Sequence, residues 1–479
     1  MALSQMEEWR WPPRYDEAYA PPADQRLWFP HRETMDPEQR DQEILVRIRE
    51  VMSYAWERSP FYRHKWDDAG IHPSSIKTLD DFGKVPVVRK EEIRADQLAN
   101  EPFGSYLCVD PQEVKHVNGT SGTTGRPTAF GLSHPDWRSV ANAHARVMWA
   151  MGIRPTDTVL IGSPLSLYFG SWGAYTGAER LGARVFPFGA GTSGQTLRTV
   201  RWIRQMGVTV FYGTPSYALR LAEVAASDGV APGSLGIQKF FFSGEPGASV
   251  PAIRDRIVDA FQAEVYDSGS MAEVSPWMHL GGASNEPGML AWQDLVYTEV
   301  CDRKTHQRLD YGEQGTPVYT TLERTSQPMV RLLSNDLTMW EAPSADRGRT
   351  YPFLPRGIYG RIDDMFTVRG ENIYPSAIDD VVMGSPDYGG EHRIVISRAQ
   401  TMDELTVQVE HAEGLDDASV AAWAGRISAR LRTVLGVGAN VVPVRRNTFE
   451  RTEFKARRVI DDRDVLSQVS GSSGRGAAP

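Results

Sequence analysis

Val208-Thr-Val-Phe-Tyr212, Lys239-Phe-Phe-Phe242 and Ala263-Glu-Val-Tyr266 are three short apolar runs, spaced by segments 216–226 and 249–261 that read as helices. The first reads as a buried strand and the other two as further strands. Strands separated by single helices predict a parallel sheet with right-handed crossovers, hence an α/β fold. In such a sheet, ligands bind beyond the carboxyl ends of the strands. Ser243-Gly-Glu-Pro246 and Asp267-Ser-Gly-Ser-Met-Ala-Glu273 both fall there.

Upstream, residues 1–38 are rich in Pro, Trp and charge and read as an extended arm laid on the body. Ile44, Leu45, Ile48, Val51, Met52 and Ala55 recur at helical spacing, so 39–57 reads as an amphipathic helix ending near Arg58-Ser-Pro60. Downstream, the character changes near Gly360-Arg-Ile-Asp-Asp364. Strands are expected at 392–397, 404–410 and 441–444, with a helix at 415–434. They predict a compact, separate α+β domain of roughly 100 residues. The expected organisation is therefore a large N-terminal domain with mostly parallel sheets (1–360), a C-terminal domain (361–465) and a disordered tail (466–479).

The 479 residues exceed what one core can organise. A net charge of −9 argues against non-specific nucleic-acid binding, which needs a basic face. Two cysteines, Cys108 and Cys301, cannot build a disulfide framework or a four-thiolate zinc site. The N-terminus lacks the basic-then-apolar order of a signal peptide, and no apolar run is long enough to span a bilayer. A soluble, cytoplasmic protein without nucleic-acid or membrane partners is expected.

Chemistry concentrates in Gly119-Thr-Ser-Gly-Thr-Thr-Gly-Arg-Pro-Thr128. Its glycines allow close backbone approach, and Thr120, Ser121, Thr123 and Thr124 add hydroxyls around Gly122 and Gly125, so N–H and O–H groups can cradle phosphate oxygens. A Walker loop would place Lys-Ser/Thr after the last glycine, where Arg126-Pro127 stands. Pro127 also blocks the helix that a Walker loop opens.

This loop resembles the signature of the acyl-adenylate-forming superfamily. Tyr54-Ala-Trp-Glu-Arg-Ser-Pro-Phe-Tyr62, Val85-Pro-Val-Val-Arg-Lys-Glu-Glu-Ile93, Gly177-Ala-Glu-Arg-Leu-Gly182, Ser243-Gly-Glu-Pro246, Asn335-Asp-Leu-Thr338 and the segment 360–375 resemble its phenylacetate-CoA ligase branch. The resemblance runs from about residue 40 to about 462 in the family's order. It implies ATP-dependent activation of an aryl carboxylic acid as acyl-adenylate with release of pyrophosphate, then transfer to coenzyme A.

By the same resemblance, Glu273 would help hold Mg²⁺, Asp336 would accept from the ribose hydroxyls, and Arg361 would lie near ribose and phosphates. Gly244, Glu245 and Pro246 would meet adenine. Lys455 would steady charge during adenylation, as a fixed ammonium can. Tyr168, Phe169, Gly170 and Trp172, with Ser243, Ser270, Met271 and Ala272, would line the acid pocket, an aromatic wall suited to a flat ring. The resemblance also implies a small mobile α+β C-terminal domain: Asp363 and Asp364 would form its hinge, and Arg369, Gly370 and Tyr374 the face for the acceptor.

Two segments depart from the branch. Phe454 stands where it usually has glycine, and Ser270-Met-Ala-Glu273 replaces its Tyr-Gly-Leu-Ser/Thr-Glu. Around Met278-His-Leu-Gly281 the cysteines that some relatives use for zinc are missing, so no zinc is expected. The acceptor therefore keeps alternatives: a carrier protein, an amine or nitrite instead of CoA. A non-catalytic nucleotide-binding homologue is the reading from another class, and a homodimer remains open.

Overall fold

The computed structural model describes residues 6–463 except 8–10, 13, 17–18, 121–127, 190–194, 246–248, 270, 275–279, 282–286, 363, 370, 400–401 and 452–457. Its centre is an eight-stranded sheet. Five strands run parallel, in spatial order Glu264–Gly269, Lys239–Phe242, Val210–Gly213, Thr158–Ile161 and Arg184–Phe186. Leu280–Gly281, Met289–Ala291 and Phe353–Leu354 extend it antiparallel.

The apolar runs arise because both faces are covered. Leu160, Phe211, Phe240 and Phe242 pack with Val200, Ile203, Tyr217, Leu221 and Ile257 on one face. Val159, Ile161, Val210, Tyr212 and Phe241 pack with Val147, Met148, Ala174 and Ala178 on the other. Alternate residues of one strand thus serve two cores. The helices expected at 216–226 and 249–261 are Pro215–Ser227 and Pro251–Phe261. Thr214 caps the first by accepting from the Tyr217 amide at 3.3 Å.

A second, antiparallel sheet joins Val296–Cys301, Gln314–Thr321, Asp336–Met339 and Gly360–Arg361, with Leu332–Leu333 against Gln314–Thr321. The N-terminal helix spans Pro37–Arg58, capped by Asp36, and buries Ile44, Ile48, Val51, Met52 and Ala55. Both thiols are buried, and burial pushes each up to about 12, so they stay protonated. Among the described residues no helix is long and apolar enough to cross a membrane.

The N-terminal arm is more deeply integrated than its composition predicts. Pro30–Glu33 is a short helix, and Glu33 is fully buried between Arg146 (3.1 Å) and Arg349 (2.7 Å). Arg146 also reaches Asp294 at 2.7 Å. Burial would raise the Asp294 pKa, but Arg146 and Arg32 outweigh it and hold the group well below the usual carboxylate range. A depressed folded pKa contributes stability above the unfolded value of about 4, lost as pH falls through the folded value. Glu33→Gln leaves two buried guanidiniums short of one charge and should cost about 3–5 kcal/mol in denaturant unfolding. An unchanged midpoint would show that the network is energetically idle.

The C-terminal unit has a four-stranded sheet in the order Asn440–Val444, Met402–His411, Tyr388–Ala399, Val459–Asp461. Helices Pro375–Met383 and Asp417–Leu435 cover it, burying Ile378, Val382, Trp423, Ile427 and Leu431. The parallel edge strand at 459–461 and the helix at 375–383 add to the expected elements. The unit rests on helix Pro251–Phe261, where Met383 joins the larger domain's core.

Candidate active site

Val114–Gly119 and Ala129–Ser133 pair antiparallel, and the glycine- and threonine-rich segment of the sequence lies between them in the chain. Ser121, Gly122, Thr123, Thr124 and Gly125 lie outside the described residues. Thr120 is described and closes the hairpin: its amide donates to the Thr128 carbonyl (3.2 Å), and its hydroxyl accepts from the Thr128 amide (3.4 Å). The Gly119 amide donates to the Leu167 carbonyl (3.1 Å), tying the hairpin to the segment that leads into Tyr168.

Beyond the strand Lys239–Phe242, Gly244 has φ +87°, a conformation that favours glycine. The Glu245 carboxylate accepts from the Ser216 amide at 3.3 Å. Pro246 lies outside the described residues. Asp336 and Arg361 are directly opposed on neighbouring antiparallel strands, which puts their side chains on one face. The preceding Asn335 adopts φ +61°, and the Asp336 amide donates to Ser334 Oγ at 3.0 Å. Residues 25 apart in sequence are thus brought together.

Glu273 follows the strand Glu264–Gly269 in a turn and is 4% exposed. Lys90 Nζ lies 3.6 Å from its carboxylate. Lys90 carried no role in the sequence reading, although it sits in the quoted segment 85–93 and opens the helix Lys90–Ala99. Arg324, also unassigned, donates from Nη1 to the Glu273 carbonyl (2.7 Å) and the Val274 carbonyl (3.2 Å). Only folding reveals either neighbour.

Among the expected pocket residues, Tyr168 and Ser243 meet. Ser243 Oγ lies 3.0 Å from the Tyr168 hydroxyl and 2.6 Å from the Tyr212 hydroxyl. Burial raises the Tyr212 pKa well above the usual range, so its hydroxyl stays protonated. A Cβ at Gly170 would come within 2.6 Å of the Tyr212 hydroxyl and 2.8 Å of the Tyr168 ring. Phe169 is buried with Leu132 and Val140 and stacks on Trp137 at 6.2 Å. Trp172 donates to the Ser166 carbonyl (2.7 Å) and packs, like Ala272, on that cluster. Met271 is buried against the N-terminal helices, and Ser270 lies outside the described residues.

Lys455 also lies outside the described residues, as do Asp363 and Gly370. Its flanks are anchored. Arg451 bridges Glu410 of its own domain (2.7 Å) and Glu223 of the larger one (3.5 Å), and Arg458 pairs with Glu391 (2.7 Å). Asp364 donates from its amide to the Arg361 carbonyl (3.2 Å). On the expected acceptor face, Arg369 has φ +53° and donates from Nε to the Asp403 carbonyl (3.1 Å), while Tyr374 accepts from Arg303 at 3.3 Å.

This combination of a hairpin-borne loop, a parallel-sheet edge and a small docked domain coincides with known families. The family model for AMP-binding enzymes matches residues 68–318, and that for the AMP-binding enzyme C-terminal domain matches 370–463. The chain belongs to the AMP-binding, adenylate-forming enzymes. Phenylacetate-coenzyme A ligase of Pseudomonas putida is 31% identical over 446 residues, 92% of this chain and 98% of that protein. The corresponding ligase of Thermus thermophilus is also 31% identical, over 457 residues, 91% of this chain and 99% of that one. A 2-hydroxyisobutyryl-CoA ligase, solved in the postadenylation state with 2-HIB-AMP, is 56% identical and superposes with TM-score 0.93, covering 98% of this chain and 99% of that one. The same ligase with 2-HIB-AMP and CoA in the thioesterification state gives 0.74 at equal coverage. Within the family, this chain is an AMP-forming acid–CoA ligase of the phenylacetate-CoA ligase-like branch.

Proposed function

We propose that the acid activated here is small and branched and carries a hydroxyl beside its carboxylate, as 2-hydroxyisobutyrate does. The hydroxyl cluster of Tyr168, Tyr212 and Ser243 beside Gly170 carries this reading. Hydroxyls both donate and accept, so they can pair with a substrate hydroxyl that a flat ring would lack. The ligase at 56% identity supports the same choice. The aromatic acid expected from the sequence is the second reading, favoured by the phenylacetate ligases at 31%.

The reaction runs in two steps. A carboxylate oxygen attacks the α-phosphorus of ATP and pyrophosphate leaves. The thiol of CoA then adds to the acyl carbonyl, losing its proton, and AMP departs. The loop 119–128 would hold the polyphosphate, Asp336 the ribose, and Gly244, Glu245 and Pro246 the adenine edge. Lys455 would steady the charge of the first step. The Glu273 carboxylate is a hard oxygen donor in a buried turn and fits a Mg²⁺ ion; when bound, that ion neutralises phosphate charge. Asp363 and Asp364 would be the hinge about which the small domain moves, with Arg369, Gly370 and Tyr374 facing the acceptor afterwards.

ATP–pyrophosphate exchange over hydroxylated short-chain acids, phenylacetates and benzoates tests the choice. The proposal expects 2-hydroxy acids to dominate; phenylacetate dominance would establish the second reading. Ser243→Ala should raise KM for the preferred acid about tenfold while sparing KM for ATP, because one buried hydroxyl partner is lost. Equal KM values for acid in the two proteins would remove Ser243 from the pocket.

A further inference from the structure

One segment, Glu323-Arg-Thr-Ser-Gln327, touches both halves of the phosphate site. Towards the phosphate hairpin, Gln327 Oε1 accepts from the Gly131 amide (2.8 Å), and Ser326 Oγ lies 2.7 Å from the Gly131 carbonyl. Towards the Glu273 turn, the Arg324 guanidinium holds the Glu273 and Val274 carbonyls. Arg324, Ser326 and Gln327 are 6%, 0% and 0% exposed.

The segment is itself fixed. Asp136, in the first turn of helix His134–Ala150, accepts from the Thr325 amide (2.7 Å) and hydroxyl (2.9 Å) through Oδ1. Its Oδ2 accepts from the Ser326 amide (2.7 Å) and from the Ser326 hydroxyl. Gln327 Nε2 donates to the Phe103 carbonyl (2.8 Å), and Ser139 donates to Glu323 (2.5 Å). A buried carboxylate holding four donors is a rigid anchor, and charge-assisted bonds are the stronger kind.

We propose that residues 324–327 are positioning residues for adenylation, setting the separation between the phosphate hairpin and the carboxylate of Glu273. The proposal rests on reading the hairpin as the phosphate holder and Glu273 as the cation ligand. Arg324 lies in the outer layer of that cation site: it holds the backbone from which the carboxylate projects. Loss of a partner that orients a metal ligand typically costs about 10–100-fold in metal affinity or activity, and here the cost should fall on Mg²⁺ affinity. Ser326 acts on the other half, so its loss should be felt by ATP.

The test is ATP–pyrophosphate exchange by the full chain, titrated separately with Mg²⁺, ATP and acid, for R324K, S326A, E273Q and the double variant R324K/E273Q. R324K should raise the half-saturating Mg²⁺ roughly tenfold, with kcat at saturating Mg²⁺ within about twofold and KM for acid unchanged. S326A should raise KM for ATP and leave KM for acid alone, and it carries the test if R324K does not fold. The shifts of R324K and E273Q should be non-additive, because both act through one carboxylate. A shifted Mg²⁺ dependence in E273Q with a normal one in R324K would overturn the positioning role. So would a uniform loss of kcat and of acid affinity in R324K and S326A, the mark of a merely structural segment. If E273Q itself leaves the Mg²⁺ dependence unmoved, the reading of Glu273 fails, and the inference with it.

Discussion

Replacing Lys455 by alanine is expected to lower ATP–pyrophosphate exchange at least about 100-fold, while thioester formation from preformed acyl-adenylate and CoA stays within a few-fold of wild type. The charge that builds as carboxylate meets α-phosphate exists only in the first step, so an ammonium that meets it there contributes nothing to thiolysis. The residues on either side of Lys455 fit a role tied to one domain arrangement. Arg451 links Glu410 to Glu223 across the domain boundary, so this arrangement docks Arg451 on the larger domain. The 0.93 superposition on a postadenylation structure, against 0.74 on a thioesterification structure of the same ligase, places this chain in the first kind of arrangement. If both half-reactions fell together in K455A, the lysine would be structural or shared between steps. Exchange at the wild-type rate would assign the first step to another cation.

The second large effect is expected at Asp336. Alanine there should raise KM for ATP about 10–100-fold with a smaller change in kcat, since a carboxylate accepting two ribose hydroxyls forms charge-assisted bonds worth about 1.5–3 kcal/mol. The strand register makes the prediction specific. Asp336 faces Arg361 across one antiparallel pair, and the left-handed Asn335 before it turns the chain into that strand. The wild-type protein should therefore prefer ATP to 2′-deoxyATP, and D336A should lose most of that preference. A variant that keeps the full preference would place the ribose elsewhere. An unchanged KM for ATP would do the same.

Much of the architecture was legible because the parallel strands are buried on both faces. Val210–Tyr212 and Phe240–Phe242 are apolar throughout because successive residues enter the two cores in turn. The N-terminal arm was not legible, since its ordering depends on Glu33 meeting Arg146 and Arg349, 113 and 316 residues away. Val459–Asp461 was hidden for a different reason. All three residues are exposed, so no burial pattern marks the strand, and only parallel pairing with Ile394–Ile396 defines it.

The site divides in the same way. Asp336, Arg361, Gly244 and Glu273 stand in motifs readable in one dimension, and their chemistry follows from residue type. Lys90 and Arg324 reach Glu273 from distant segments, and nothing local to either signals it. Tyr212 is similar: it reads as one residue of a core strand, yet its hydroxyl meets Ser243 and leaves no room for a Cβ at Gly170. Aromatic side chains near a pocket are equally ambiguous in sequence. Phe169 packs among Leu132, Val140 and Trp137, while its neighbour Tyr168 turns its hydroxyl to Ser243.

The central claim is that a carboxylate oxygen of the substrate becomes bonded to the α-phosphorus of ATP before CoA takes the acyl group. The most direct measurement follows that oxygen. The acid giving the fastest pyrophosphate exchange is labelled with ¹⁸O in its carboxylate and converted with ATP and CoA, and the nucleotide and phosphate products are weighed by mass spectrometry. Transfer of one ¹⁸O to AMP, with unlabelled pyrophosphate, is the predicted result. Label in inorganic phosphate together with ADP would mean an acyl-phosphate route and would contradict it.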